Sequence, residues 1–265
     1  SLGRHARGGC ARTHARRHRH SAPRRQCRRR HPSPPPRRDR GIGDNRAPVL
    51  PQSRLYGDMA ELIGRDLANV EAGIYPLPAD HDGSLPTLFR RSRLFFNDLP
   101  DVHQRRKARR HDEVLTDEVR GKRPDYYLQN FHFQSGGWLT EDSADRYDTQ
   151  VEVLFKGTAN AMRRMALPEL AEIFQGRDQR KLRLLDIGCG TGRFLDFVKQ
   201  TWPRLPVTGI DLSPELVRQA RLLNPGVEFH VADMTALPDA DGRWAGITAF
   251  YSLIHLPREQ VVSAL

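Results

Sequence analysis

The apolar positions along the chain change period near its middle. Over residues 53–72, Leu55, Met59, Leu62, Ile63, Leu67 and Val70 recur three and four apart, which predicts an amphipathic helix. Gly73 and the prolines at 76 and 78 close it. A second apolar cluster, residues 85–96, follows the turn-forming run His81-Asp82-Gly83-Ser84. Residues 105–111 are a basic run, read as a solvated loop or helix face. Thr140 is placed to cap a helix with Glu141 and Asp142 in its first turn, and Tyr147, Val151, Leu154 and Phe155 share one of its faces. A shorter helix over 167–174 starts at Pro168.

From Lys181 onward short apolar runs alternate with helical ones. Strands are expected over 182–187, 207–210, 227–231 and 245–250. Between and after them lie a helix over 191–202 stopped by Pro203, a helix capped by Ser213 with Pro214 at its first position, and one opened by Pro257. Repeated β-α-β units give a parallel sheet with helices on its faces. The expected fold class is therefore α/β and Rossmann-like, behind a mostly helical N-terminal part.

Composition splits the chain elsewhere. Residues 1–48 hold 15 Arg and only Asp39 and Asp44 as acids, a charge of +13, whereas residues 49–265 carry −2. All 20 aromatic residues lie after residue 48, and Leu2 and Ile42 are the only large aliphatics before it. Such a head cannot bury enough apolar surface to offset the entropy of ordering, so it is expected to be disordered. Its density of Arg suits an acidic partner or nucleic acid, but composition favours a plain unstructured extension. Cys10, His14, His18, His20 and Cys27 do not follow a zinc-ligand spacing, so no metal site is expected.

The longest mostly apolar stretch, 244–256, has 13 residues and contains Thr248, Ser252 and His255. A bilayer span needs about 20. No apolar segment of leader type follows the basic start, and three cysteines make no disulfide framework, so a cytoplasmic setting is expected.

The chemistry gathers at the first strand of the second half, which runs into Asp186-Ile187-Gly188-Cys189-Gly190-Thr191-Gly192. Glycines at a strand-to-helix turn let the backbone approach a ligand and leave helix N–H groups available. Asp186 closes the first strand, Asp211 the second, and Asp233 follows the third. Strand C-termini of a parallel sheet converge on one crevice, so the three acids should line one site. An acid after the second strand suits ribose hydroxyls, Asp186 suits a cationic amine, and Asp233 can accept from the exocyclic amine of a base. The ligand expected is a nucleoside with a cationic amino-acid-like tail. A dinucleotide fits less well, because Arg193 and Leu195 stand where G-x-G-x-x-G would require glycine. Among the aromatics Tyr126, Tyr127, Phe131, Phe133 and Trp138, two readings stay open: core packing, or a cap over a ligand pocket.

Residues 184–194 resemble motif I of class I S-adenosylmethionine-dependent methyltransferases, and residues 207–213, 231–234 and 250–255 resemble the later motifs of that superfamily. The ubiquinone/menaquinone-biosynthesis methyltransferases are nearest in style. The resemblance implies S-adenosylmethionine as cofactor, with Gly188, Cys189, Gly190, Thr191 and Gly192 around its methionine part and Asp186 near the amino group. It implies Asp211 on the ribose, Leu212 against adenine, Asp233 and Met234 at the adenine edge, and Phe250, Tyr251 and Ser252 near the departing methyl. His255 is the candidate base; His132 and His230 are weaker ones. The acceptor is expected to be small, aromatic or quinone-like, with no nucleic-acid partner and no membrane span. An inactive or binding-only fragment and, less well supported, an NAD(P)-dependent oxidoreductase are the alternatives. The expected division is a basic head over 1–48, a helical and aromatic-rich cap over 49–178, and a partial cofactor-binding domain over 179–265. The family's sheet runs 3-2-1-4-5-7-6. Only its first four strands find residues here, so a C-terminally truncated sequence with an uncovered fourth strand is expected.

Overall fold

The computed structural model describes residues 51–78, 84–116, 119, 121–137, 139–237 and 242–264. The Arg-rich residues 1–48, the turn residues 81–83 and Trp138 lie outside the described residues.

Among the described residues four strands, β1 (Leu184–Ile187), β2 (Val207–Asp211), β3 (Glu228–Val231) and β4 (Gly246–Thr248), form one parallel sheet in the order β3-β2-β1-β4. This is the Rossmann-like arrangement expected, and its order is that of the first four strands of the sheet the resemblance implied. β1 and β2 are central and buried throughout, which is why they read as continuous apolar runs rather than alternating ones. β3 and β4 have one described neighbour each, and Val231 and Ile247 are about half exposed.

The connections are α6 (Arg193–Thr201), α7 (Pro214–Leu223) and, after β4, α8 (Arg258–Ala264). Ser213 caps α7 as expected, its Oγ accepting from Leu216 N–H at 3.1 Å. α6 starts at Arg193 rather than at the expected Thr191, because the glycine turn runs through a left-handed Gly192 before the helix begins. β4 is shorter than the apolar run that predicted it, since its ladder with β1 spans only Gly246 to Thr248.

Among the described residues five α-helices precede the sheet: α1 (Gln52–Glu71), α2 (Leu85–Ala108), α3 (Glu141–Leu154), α4 (Ala159–Arg164) and α5 (Leu167–Phe174). Thr140 caps α3, with Oγ1 accepting from Ser143 N–H at 3.2 Å. α2 outlasts its apolar cluster and absorbs the start of the basic run. There Arg105 departs from a purely solvated role: its Nη1 donates to the Phe133 carbonyl at 2.6 Å, and it pairs with Glu113. α1 is pinned to α4 by a buried bidentate pair, Arg164 Nε to Asp66 Oδ1 at 2.9 Å and Nη2 to Oδ2 at 2.6 Å. The Tyr75 hydroxyl adds a third bond to Asp66 at 2.7 Å.

The largest buried cluster joins Leu184, Leu195, Val198, Leu205, Val217 and Phe229 of the sheet part to Leu167, Leu170 and Phe174 of α5. A smaller one, Tyr127, Ala144 and Leu216, ties the aromatic segment and α3 to α7. These contacts set the helical part over the C-terminal ends of the strands.

Candidate functional site

The C-terminal ends of β1 and β2 and the chain following β3 and β4 open onto a cavity of about 1240 Å³, its open mouth included. Asp186, Gly188, Cys189, Thr191, Asp211 and Leu212 contribute from the first two strand ends, and Ala232, Met234, Phe250, Tyr251 and Ser252 from the other two. The helical part supplies the opposite wall with Tyr126, Tyr127, Tyr147, Val151, Phe155, Met162 and Arg163. Both readings of the aromatic segment hold here, since Tyr126 and Tyr127 line the cavity and also pack with Ala144 and Leu216.

Asp186 is buried, and its Oδ1 accepts from Thr248 Oγ1 at 2.8 Å. Burial pushes its carboxyl up to about 7, against the opposing effects of the Thr248 bond and the Arg163 charge. A cation placed beside it would restore the carboxylate. Asp211 is equally enclosed. Its Oδ2 accepts from Gly190 N–H at 3.0 Å and its Oδ1 from Ser213 N–H at 2.9 Å. Burial raises its pKa and these backbone donors oppose the rise. Asp211 thus stitches the glycine turn to the start of α7, and its remaining lone pairs are what it can offer a ligand.

Of the three glycines, Gly188 lines the cavity while Gly190 and Gly192 do not. Gly188 has φ +71°, and a Cβ there would meet Ser252 Cβ at 2.5 Å. Gly192 has φ +80°, and its Cβ would strike Asn224 Nδ2 at 2.7 Å and Phe229 Cζ at 2.8 Å. Gly192 is required by the packing of the turn against α7 and β3, not by the cavity. Thr191 fixes the same turn to α3 by donating from Oγ1 to Asp148 Oδ1 at 2.7 Å. Cys189 is buried, and burial, with the Asp211 and Asp186 charges, holds its thiol well above the usual range. It behaves as a small apolar side chain.

Asp233 departs from its expected place. Its neighbours Ala232 and Met234 line the cavity and Asp233 does not. Its Oδ1 accepts from the Tyr126 hydroxyl at 2.7 Å and from Thr235 N–H and Oγ1 at 2.9 and 2.8 Å. These bonds turn the carboxylate toward the aromatic segment. Leu212 lines the wall, and its carbonyl accepts from Arg123 Nη1 at 2.7 Å. Phe250 packs on Phe194 with ring centroids 5.0 Å apart, and Tyr251 on Phe155 at 5.2 Å.

His255 closes a 3-10 turn over Leu253–His255 and lines the cavity. Burial, with a smaller contribution from His132, pushes its pKa down to about 4, so it is neutral at pH 7 and a weaker base than a free imidazole. His132 also lines the cavity, and burial lowers its pKa too. His230 points elsewhere, to Glu228 Oε1 at 2.8 Å.

The periodicity that found α3 marked Tyr147, Val151 and Phe155 as one face, but it could not show that the face borders a cavity. Met162 and Arg163 carried no sequence signal, because the six residues of α4 are too few to show a period. The acceptors present fit a nucleoside with a cationic tail: a buried carboxyl at Asp186, a second at Asp211, and between them a turn at Gly188 that tolerates no side chain.

Residues 184–265 match the family described as methyltransferase domain. The ubiquinone/menaquinone biosynthesis C-methyltransferase UbiE of Desulfotalea psychrophila is 30% identical over 112 residues, 42% of this chain and 43% of that protein. A trans-aconitate 2-methyltransferase of Rhodopseudomonas palustris is 42% identical over 52 residues, 20% of each chain. Among solved structures, SAM-bound CalS10, an amino pentose methyltransferase from Micromonospora echinaspora, matches with a TM-score of 0.36 and 29% identity, covering 43% of this chain and 47% of that one. The chain spans less than half the length of these relatives.

Proposed function

We propose that this chain, whose residues 184–265 match the family described as methyltransferase domain, is a class I enzyme that works in methyl transfer from S-adenosylmethionine to a small-molecule acceptor. The observation that carries the reading is the convergence of Asp186, Asp211 and the Gly188 turn on one cavity walled by Tyr126, Tyr127 and Tyr147.

In this reading Asp186 receives the amino group of the cofactor's methionine part and Asp211 the ribose hydroxyls. Leu212 and Met234 give an apolar surface to the base. The cofactor supplies a methyl group already activated on a sulfonium, so positioning rather than acid–base chemistry carries most of the task. Phe155, Met162, Phe250 and Tyr251 form the apolar side on which the acceptor is held and water excluded. That surface suits an aromatic or quinone-like molecule. Neutral His255 takes a proton from the acceptor where the attacking atom carries one. A reducing cytoplasm is the setting we assign, in which Cys189 stays a thiol.

Calorimetry with S-adenosylhomocysteine and with NAD tests the cofactor, and a radiolabelled methyl-transfer assay over small aromatic acceptors tests the activity. Binding of S-adenosylhomocysteine and not NAD is expected. NAD binding without S-adenosylhomocysteine binding overturns the reading.

A further inference from the structure

We propose that a second cavity, adjoining the first, seats an anionic group of the methyl acceptor, so that the acceptor is an aromatic molecule carrying a carboxylate or a phosphate. This deepens the function proposed above and rests on it.

The second cavity measures about 920 Å³, its open mouth included, and is lined from α2, α3, α4 and the start of α6. Among the described residues its charged lining is Arg91, Lys156, Arg163 and Arg193 against Asp148 and Glu152. Both acids are engaged. Asp148 Oδ1 accepts from Thr191 Oγ1 at 2.7 Å, and its Oδ2 stands 3.6 Å from Arg193 Nε. Glu152 Oε1 stands 3.9 Å from Arg163 Nη1, which donates to the nearer Asn160 Oδ1 at 2.7 Å. Four cations against two acids leave an excess of two positive charges. Arg91 and Arg193 are only 6% and 9% exposed, so water does little to solvate that excess. An oxyanion replaces the missing hydration, most closely through the two parallel bonds that a planar guanidinium makes to a carboxylate or a phosphate.

The position of the second cavity ties it to the acceptor. Arg163 and Arg193 line both cavities and mark where the two adjoin. The chain passes from one to the other twice. Phe155 lines the first and Lys156 the second; Met162 lines the first and Arg163 both. The apolar surface assigned to the acceptor thus continues, one residue on, into the cationic one. Arg91 and Lys156 line the second cavity and not the first, which sets their charge apart from the corner of Asp186 and Gly188. Lys156 also holds a φ of +54°, beside Gly157 at +80°. Glycine takes that conformation at less cost than lysine, yet a lysine stands here and lines the cavity.

The test is calorimetry on the full chain saturated with S-adenosylhomocysteine, with phenol, 4-hydroxybenzoate and phenyl phosphate as probes. The wild type should bind at least one of the two anions about tenfold more tightly than phenol, the scale of one charge-assisted hydrogen bond, and the better of the two identifies carboxylate or phosphate. Added salt should shrink the preference. Lys156 is exposed, so Lys156→Glu should leave the fold intact. It should bring the preferred anion to within about twofold of phenol and leave the affinities for phenol and S-adenosylhomocysteine unchanged, while Lys156→Arg should keep the preference. Binding of none of the probes, no preference for either anion, or a preference that Lys156→Glu retains overturns the proposal and leaves the methyltransferase reading standing. Weakened binding of S-adenosylhomocysteine to Lys156→Glu overturns it as well, by assigning the charge to the cofactor. A wild-type chain that does not bind S-adenosylhomocysteine removes the functional reading and this proposal together.

Discussion

The hydroxyl of Tyr126 donates to Asp233 Oδ1 across 2.7 Å, joining residues 107 positions apart in the chain. It closes the aromatic segment over the end of β3, next to the cavity-lining Met234. Burial and the bond to Asp233 push the Tyr126 phenol far above its usual range, so it stays a donor at any working pH.

Tyr126→Phe removes this clamp and leaves the ring in place. A hydrogen bond to a carboxylate is worth about 1.5–3 kcal/mol. We expect a loss of that order, seen as faster amide exchange around the aromatic segment and weaker nucleoside binding. Unaltered exchange there and unaltered affinity would show that the clamp does not hold the cavity wall.

Asp186 gives ligand binding a pH dependence. With its carboxyl near 7, the ligand-free site is largely protonated below neutrality, and a cationic tail must displace that proton. Affinity for S-adenosylhomocysteine should therefore rise with pH through about 7 and fall below it, by at most about tenfold per pH unit. Asp186→Asn should bind weakly and lose the slope. A wild-type affinity that is flat from pH 5 to 8 contradicts the assignment.

Asp211→Ala should harm both fold and site. It strands the Gly190 and Ser213 N–H groups in a buried turn, at about 1–3 kcal/mol each. A lowered thermal midpoint is expected together with weakened nucleoside binding. A variant that keeps the wild-type midpoint but loses affinity would mean that Asp211 serves the ligand alone.

His255 should cost the fold stability in acid. Its folded pKa of about 4 lies below the unfolded value of 6.5, so the unfolded chain binds more protons between those limits. Stability from this group is complete above about pH 6.5 and is lost as pH falls toward 4, by up to roughly 3 kcal/mol. Asp186 acts in the opposite sense: its raised pKa penalises the fold above about 7, and the penalty is relieved as pH falls toward 3.8. Denaturation of the wild type and of His255→Asn across pH 7 to 4 separates them, because the Asp186 contribution is common to both. The variant should lose less stability in acid; equal slopes would refute the burial of His255 as a neutral base.

Local sequence determined the frame. Strands β1 and β2 were legible because residues buried on both faces leave unbroken apolar runs, and Ser213 and Thr140 announced their helices because capping is decided within four residues. The glycine turn and the acids Asp186 and Asp211 were legible for a related reason: in a parallel sheet, strand ends meet on one side whatever the rest of the chain does. Tertiary structure decided everything that depends on side chains meeting across the chain. Asp233 has the right place in the sequence to read a base, yet Tyr126 claims it. Gly192 reads as a cradle and serves the packing of Phe229. Arg163 and Met162 enter the cavity wall from a six-residue helix with no period to betray it, placed there in part by the Arg164–Asp66 pair that holds α4 to α1. Burial pushes Asp186 toward 7 and His255 toward 4, and burial is a property of the folded surroundings, absent from any stretch of sequence taken alone.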